Sequence, residues 1–363
     1  MRIAAGVFVF FVLSFQICNA QQYSIYGWYD PFYFYHEPST SAGSSGKIYL
    51  NNYDDAYSSL YNPAIPSSLN SIRFSYSKSQ KTFDDYFFQN NVYYDSYGID
   101  IPIKNIGTFS LVKRYFHSEN SSTQMAIFYG GERYTSYNFN FSREICRGLS
   151  AGIGFNYFKS EFWDGRIDNT YNEYYSLNIG ASYKYNLPEF ENYTHQAIAN
   201  ISVMNIPTSN PKARKEILPG GGTYIIEPPD PLPQIDHISL GYMSKYQGMG
   251  IIRGFDDFQG DIQIEYSDLL NSRYYNTISL GMEIKFLEIV SIRGGYYNYK
   301  DYYYNTPLDK ITYGFGLTFP LKLVMDIPLE LGIDYSHLKD PYFSFKGKDY
   351  FDSFSLNVRY SMY

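Results

Sequence analysis

Two cysteines in 363 residues, Cys18 and Cys146, are too few for a disulfide-stapled scaffold or a cysteine-rich metal site. Tryptophan occurs twice, and the five histidines, His36, His117, His195, His237 and His337, are scattered. Beyond the first twenty residues no apolar run reaches the length of a membrane helix, so helical spans are excluded. Positive charge is in deficit as well. A net charge of −7 argues against nucleic-acid binding.

The one long apolar stretch stands at the start. Arg2 precedes the apolar run Ala4 to Phe15, and Cys18-Asn19-Ala20 places small residues where a signal peptidase reads. A secretory signal over residues 1–20 is expected, cleaved after Ala20 to leave Gln21 first. Cys18 departs with it, leaving Cys146 without an intramolecular partner.

What the chain has in excess is aromatic residues: 43 Tyr and 28 Phe, 20% aromatic with Trp. Mean hydropathy is nevertheless negative. Tyrosine suits a lipid–water boundary, because its ring is apolar and its hydroxyl reaches water. The aromatics also alternate. From Tyr175 to Asn186 the odd positions are Tyr175, Leu177, Ile179, Ala181, Tyr183 and Tyr185, and every even position is polar or glycine. Twelve residues at period two make a strand with unlike faces, and twelve residues suit a tilted membrane strand. The pattern recurs at Ile278–Phe286, Ile311–Leu317 and Phe354–Met362.

The polar faces carry Arg73, Lys184, Glu265, Glu283, Lys285, Arg293, Glu330, Asp334 and Arg359. In a dry core each unpaired charge would cost several kcal/mol. A wet or stoppered lumen removes that cost. The fold expected is therefore all-β: a transmembrane antiparallel β-barrel of about fourteen strands, with residues 21–70 as N-terminal extension and plug and 71–363 as the barrel. Its surroundings would be the lipid of a bacterial outer membrane. The strands are expected at 71–79, 107–116, 123–129, 133–142, 149–159, 172–186, 194–205, 235–246, 259–267, 275–286, 289–298, 310–318, 329–336 and 352–362. With the N-terminus inside, 80–106 and the proline-rich 206–234 become external connections and 117–122 an internal one.

The order of motifs resembles the FadL and PorV group of fourteen-stranded outer-membrane barrels. Asp54-Asp55-Ala56 followed by Leu60-Tyr61-Asn62-Pro63-Ala64 is similar to the Asn-Pro-Ala segment of that group's plug. Ile103 to Ser110 resembles the start of its second strand, and Gly148 to Tyr157 its fifth. Later matches follow in order at Val203–Ile206, Ser239–Tyr242, Glu265–Leu270 and Ile292–Tyr296. Two departures stand out. Ile65-Pro66 replaces a common glycine after the motif, and residues 21–50 have no counterpart.

The resemblance implies either passage of fatty acids and other hydrophobic compounds past the plug and out through the wall, or service with a type IX secretion apparatus. The partners expected are thus outer-membrane lipid and either a hydrophobic ligand or secretion-system proteins. A ligand cleft could draw on Phe87, Phe88, Tyr93, Tyr94, Phe162 and Trp163, with Tyr302 to Tyr304. No cofactor or metal is expected, and catalysis is not. His237 and Ser239 share a strand face, but same-face neighbours stand about 7 Å apart, and no third catalytic group accompanies them.

Overall fold

The computed structural model describes residues 37–50, 53–82, 91–119, 131–163, 170–208, 214–217, 223–226, 234–252, 255–270, 277–300, 307–325, 327–339 and 350–362. The expected signal peptide lies outside them. Fourteen strands form one closed antiparallel barrel: β1 Ser71–Thr82, β2 Asn91–Ile103, β3 Gly107–Glu119, β4 Gly131–Cys146, β5 Leu149–Trp163, β6 Thr170–Asn186, β7 Tyr193–Pro207, β10 Gln234–Tyr246, β11 Phe258–Leu270, β12 Thr277–Phe286, β13 Val290–Lys300, β14 Pro307–Pro320, β15 Leu329–Lys339 and β16 Tyr350–Ser361. β8 Arg214–Ile217 and β9 Thr223–Ile226 pair only with each other, inside the proline-rich connection after β7. Each barrel strand pairs with its neighbour in sequence, and β1 closes on β16 from Ser71↔Ser361 to Thr82↔Tyr350. No open edge is left among the barrel strands.

Alternation sorts the wall into two faces. Ile153, Leu240, Ile262, Ile264, Met282, Ile284, Ile292, Phe315 and Leu356 are exposed on the outside. Their sequence neighbours Gln263, Glu283, Ser291, Arg293 and Asn357 are buried. The interior is polar and the exterior apolar, the reverse of a soluble protein and the arrangement that lipid demands. Exposed Tyr97, Tyr175, Tyr266, Tyr296 and Tyr313 edge this band towards one end of the barrel, and Tyr183, Tyr193 and Tyr242 towards the other. On β6 the edging residues Tyr175 and Tyr183 are eight positions apart, about 26 Å along a strand. That is about the height of a lipid-facing band.

One strand differs from expectation. The second strand is β2, within the stretch 80–106 expected as an external connection. Its alternation is obscured because Asp95 lies on the same face as the exposed Tyr97, Tyr94 is fully buried, and Pro102 interrupts the run. The turn 104–106 therefore sits at the opposite barrel end from the β1–β2 connection, and Ile103 to Ser110 leads into the third strand, not the second. Residues 117–119 complete β3, and Glu119 pairs with Asn91 at the start of β2, so these three are strand at the loop end and not part of an internal turn. The strand expected at 123–129 lies outside the described residues. From β4 onward the expected alternation of ends and the observed one agree. The connections after β2, β4, β6, β10, β12 and β14 define a turn end, and the others a loop end.

If the apolar band faces hydrocarbon, Ile262, four positions from both Phe258 and Tyr266 on β11, lies near its middle. Ile262→Lys is expected to destabilise the barrel by about 2–4 kcal/mol in lipid-vesicle unfolding titrations. An unchanged midpoint would contradict a lipid-facing band.

Candidate functional site in the barrel interior

Residues 37–50 and 53–70 lie inside the barrel, and they pack there because they bring a small core of their own. Ala42, Ile48, Tyr49, Leu50, Tyr53, Tyr57 and Ile65 cluster with Val112 of β3, and Leu60 and Tyr61 pack against them. Tyr49 meets Tyr53 edge-on at 5.2 Å and lies 5.1 Å from Tyr61. A short helix α1, Thr40–Ser44, begins under a Ser39 cap whose Oγ accepts from Ala42 N. After Asn62-Pro63-Ala64 a 3-10 turn spans Ile65–Ser68, with Pro66 near its start, where proline is tolerated. The departure from glycine there thus builds a turn.

Among the segment's ties to the wall two groups stand out, besides single bonds at Ser75, Ser77, Ser96, Asn138 and Thr312. The first is ionic. Asp54 accepts from Lys285 Nζ at 3.1 Å and from Arg359 Nη1 at 2.6 Å. Arg359 also pairs with Glu330, and Lys285 lies 3.8 Å from Glu283. Arg293 bridges Glu283 at 2.6 Å and Asp334 at 2.5 Å, with its guanidinium 5.3 Å above the Tyr53 ring. Asn357 donates to Asp334 at 2.6 Å, and Arg73 donates to Tyr53 O at 2.7 Å. Burial pushes the Asp54 carboxyl up, but Arg359, Lys285 and Arg73 outweigh it and hold the group well below the usual carboxylate range.

The second tie is the Asn-Pro-Ala motif. Asn62 Oδ1 accepts from Ala64 N at 2.8 Å, which fixes the motif's turn. Its Nδ2 donates to Ala181 O of β6 at 3.0 Å and to Ile201 O of β7 at 3.2 Å. Pro63 O accepts from Asn140 Nδ2, and Tyr61 O from Ser202 Oγ, both at 3.0 Å. Glycine makes this approach possible. A Cβ at Gly152 would come within 2.1 Å of Pro63 O, and one at Gly295 within 2.0 Å of Gly46 N.

Beside Asn62 the β6–β7 ladder slips. Leu177 pairs with Ile206 and Ile179 with Val203, so two β7 residues, Met204 and Asn205, oppose Asn178. Asn205 takes the left-handed conformation, φ 58°, and donates its N–H to Asn178 Oδ1 at 2.8 Å. A row of carboxamides runs from the slip across the wall: Asn156 donates to Asn178 at 2.9 Å and to Asn205 at 3.2 Å, and accepts from Asn138 at 2.6 Å.

All nine charges singled out above lie on the inner face. Lys184 donates to Ser68 Oγ at 2.9 Å, and Glu265 meets His237 Nδ1 at 3.1 Å. The aromatic residues expected around a cleft do not share a surface. Tyr93 lies on the outside beneath Lys78, whose Nζ is 5.0 Å from the ring centre. Tyr94 points inward between Phe116 and Phe351. Phe87, Phe88, Tyr302, Tyr303 and Tyr304 lie outside the described residues, as do the side chains of Phe162 and Trp163. His237 and Ser239 have different partners: Ser267 Oγ and Glu265 both approach the same His237 nitrogen, while Ser239 accepts from Asn200 and Gln263. No nucleophile relay is built there. Asn156 and Asn205 stand within stretches matched above and Asn178 on the polar face of the β6 repeat, but no side-chain signal singled them out, and Glu37 carries no motif.

Fold and interior together define a class: a transmembrane β-barrel of the outer-membrane type, with an interior occupied by its own N-terminal segment. No family model matches the sequence, and no curated protein sequence does. Among solved structures the chain is similar to a Pseudomonas aeruginosa FadL homologue, at 10% identity and TM-score 0.48, over 89% of this chain and 98% of that one. It is likewise similar to the Pseudomonas putida toluene transporter TodX, at 11% identity and TM-score 0.44, over 94% of this chain and 99% of that one. A third is the monoaromatic hydrocarbon channel CymD, at 10% identity and TM-score 0.45, over 89% and 97%.

Two substitutions test the ties. Asp54→Ala leaves Lys285 and Arg359 facing each other without their shared counter-ion, and should lower stability by about 3 kcal/mol and raise single-channel conductance in planar bilayers. Because the depressed carboxyl stabilises the fold above its ordinary value near about 4 and loses that only as pH falls further, wild-type conductance should stay low at about pH 5. Asn62→Asp sets an acceptor against two carbonyls and is expected to cost about 1–3 kcal/mol, more than Asn62→Ala, in thermal unfolding of the detergent-solubilised barrel.

Proposed function

We propose that this protein is an outer-membrane channel for hydrophobic or amphipathic small molecules, in which residues 37–70 act as the plug. The observation that carries this reading is the N-terminal segment within the bore, hydrogen-bonded to β1, β2, β4, β6, β7, β12, β14 and β16. A segment so held would stand in the way of bulk polar solutes. Passage then requires a specific route past the segment. The slip at Asn178 opposite Met204-Asn205 supports a sideways route, since it breaks the β6–β7 ladder three residues along from Ala181 and Ile201, where Asn62 bridges the two strands. A compound leaving through the wall enters hydrocarbon directly, which suits cargo with apolar surface.

The names of the similar structures, a toluene transporter and a monoaromatic hydrocarbon channel, agree with that cargo class. A role with a type IX secretion apparatus would need a docking surface, and no observation among the described residues favours it.

Proteoliposomes carrying the purified protein should take up radiolabelled toluene faster than empty liposomes, yet show no accelerated swelling in isotonic sugar. Replacing Gly152 by Val, which drives a side chain into Pro63, should abolish the difference between the two cargo classes by admitting sugar. Fast sugar entry through the wild-type protein would sink the channel reading in favour of an open porin.

A further inference from the structure

On the outer wall a groove of about 520 Å³ crosses the seam where β1 closes on β16. Its lining runs from Ile333, Leu356 and Tyr76, which pair across β15, β16 and β1, to Asp352 and Gln80, four positions nearer the loop end. Tyr76 and Lys78 shape it by leaning away from β16. The Tyr76 hydroxyl donates to Asp95 of β2 at 2.7 Å, and the Lys78 ammonium stands 5.0 Å from the ring centre of Tyr93 on that strand. Ile333, Phe354 and Leu356 are left as an exposed apolar floor. Asp352 pairs with His337 and His337 with Tyr313, one of the tyrosines edging the band. The apolar end of the groove therefore lies within the lipid-facing band and its polar end at the margin.

We propose that the groove holds one lipid molecule, an acyl chain along Phe354, Leu356 and Ile333 and a phosphate at Lys78. The inference rests on the lipid-facing band and is independent of the channel reading. Size, shape and charge carry it. A cavity of roughly 150 Å³ takes one benzene ring, so the volume here has room for a longer chain. The four positions from Leu356 to Asp352 span about 13 Å along a strand. A chain lying there runs from the band's margin into hydrocarbon. Charge selects the head. Asp352 already accepts from Tyr335 at 2.8 Å and meets His337 at 3.1 Å, and Asp95 accepts from Tyr76. Lys78 has no carboxylate within ion-pair distance among the described residues, and its ring contact leaves donors of the ammonium for an anion. A lysine at the margin of a membrane surface attracts anionic lipid heads.

Phosphatidic acid and diacylglycerol with the same chains differ in the phosphate alone. The full-length protein, purified in mild detergent, is stripped of lipid, reloaded with each and weighed by native mass spectrometry. One phosphatidic acid should be retained, with diacylglycerol held about fivefold more weakly, the worth of one lysine near an anionic head. Leu356→Trp fills the floor and should abolish retention, whereas Ile264→Trp, at an exposed outer position on β11, should keep it. Lys78→Gln should hold the two lipids equally, and serves as the check should Leu356→Trp misfold. Reloading with lipid A separates a phosphorylated glycolipid from a phospholipid as the source of the phosphate, and retention of either supports the site. No stoichiometric lipid in the wild type, or equal retention of phosphatidic acid and diacylglycerol, overturns the assignment. So does a Leu356→Trp variant that holds lipid as the wild type does, or a phosphate preference that survives Lys78→Gln.

Discussion

Every peptide group at membrane depth must find its partner within the protein, and the pairing of β1 with β16 meets that demand for the wall as a whole. Once the sheet closes, alternation leaves no freedom. Ile262 and Ile264 must face lipid, and Asp261, Gln263 and Glu265 must face inward. A closed ring of fourteen such strands encloses a space lined with carboxamides, hydroxyls and charges. The N-terminal segment answers it with backbone carbonyls, one carboxylate at Asp54 and one carboxamide at Asn62.

The two ties solve different problems. Around Asp54, charges from β12, β13, β15 and β16 pair, so each member of that network has an opposite charge within 4 Å. Around Asn62 the contacts are neutral and directional, matching a wall where β6 and β7 fall out of register. The charged side is held by attraction that tolerates small shifts, whereas the amide side depends on geometry.

Strand parity was legible because lipid on one side and polar groups on the other write a period of two into the residues. β6 reads without interruption from Tyr175 to Asn186. β2 does not, since Tyr94 turns inward against Phe116 and Asp95 on the outer face accepts from the Tyr76 hydroxyl. The Asn-Pro-Ala motif could be found by its turn chemistry. Residues 37–50 could not, because much of their fit comes from backbone lying against glycine, as Gly46 does at Gly295, and such contact leaves no residue pattern. Nor does sequence order reveal that Asp54 meets Arg359, three hundred positions away, or that Lys78 and Ile333 line one groove.

The segment inside the barrel precedes every wall strand in the chain, yet its partners include Thr312 and Arg359, near the far end. Its full set of wall partners therefore exists only once β16 has joined the wall. Loop-closure entropy makes such distant contacts slow to form. The contacts at Thr312 and Arg359 thus join the two ends of the chain across the lumen, and they span the longest loops that this fold has to close.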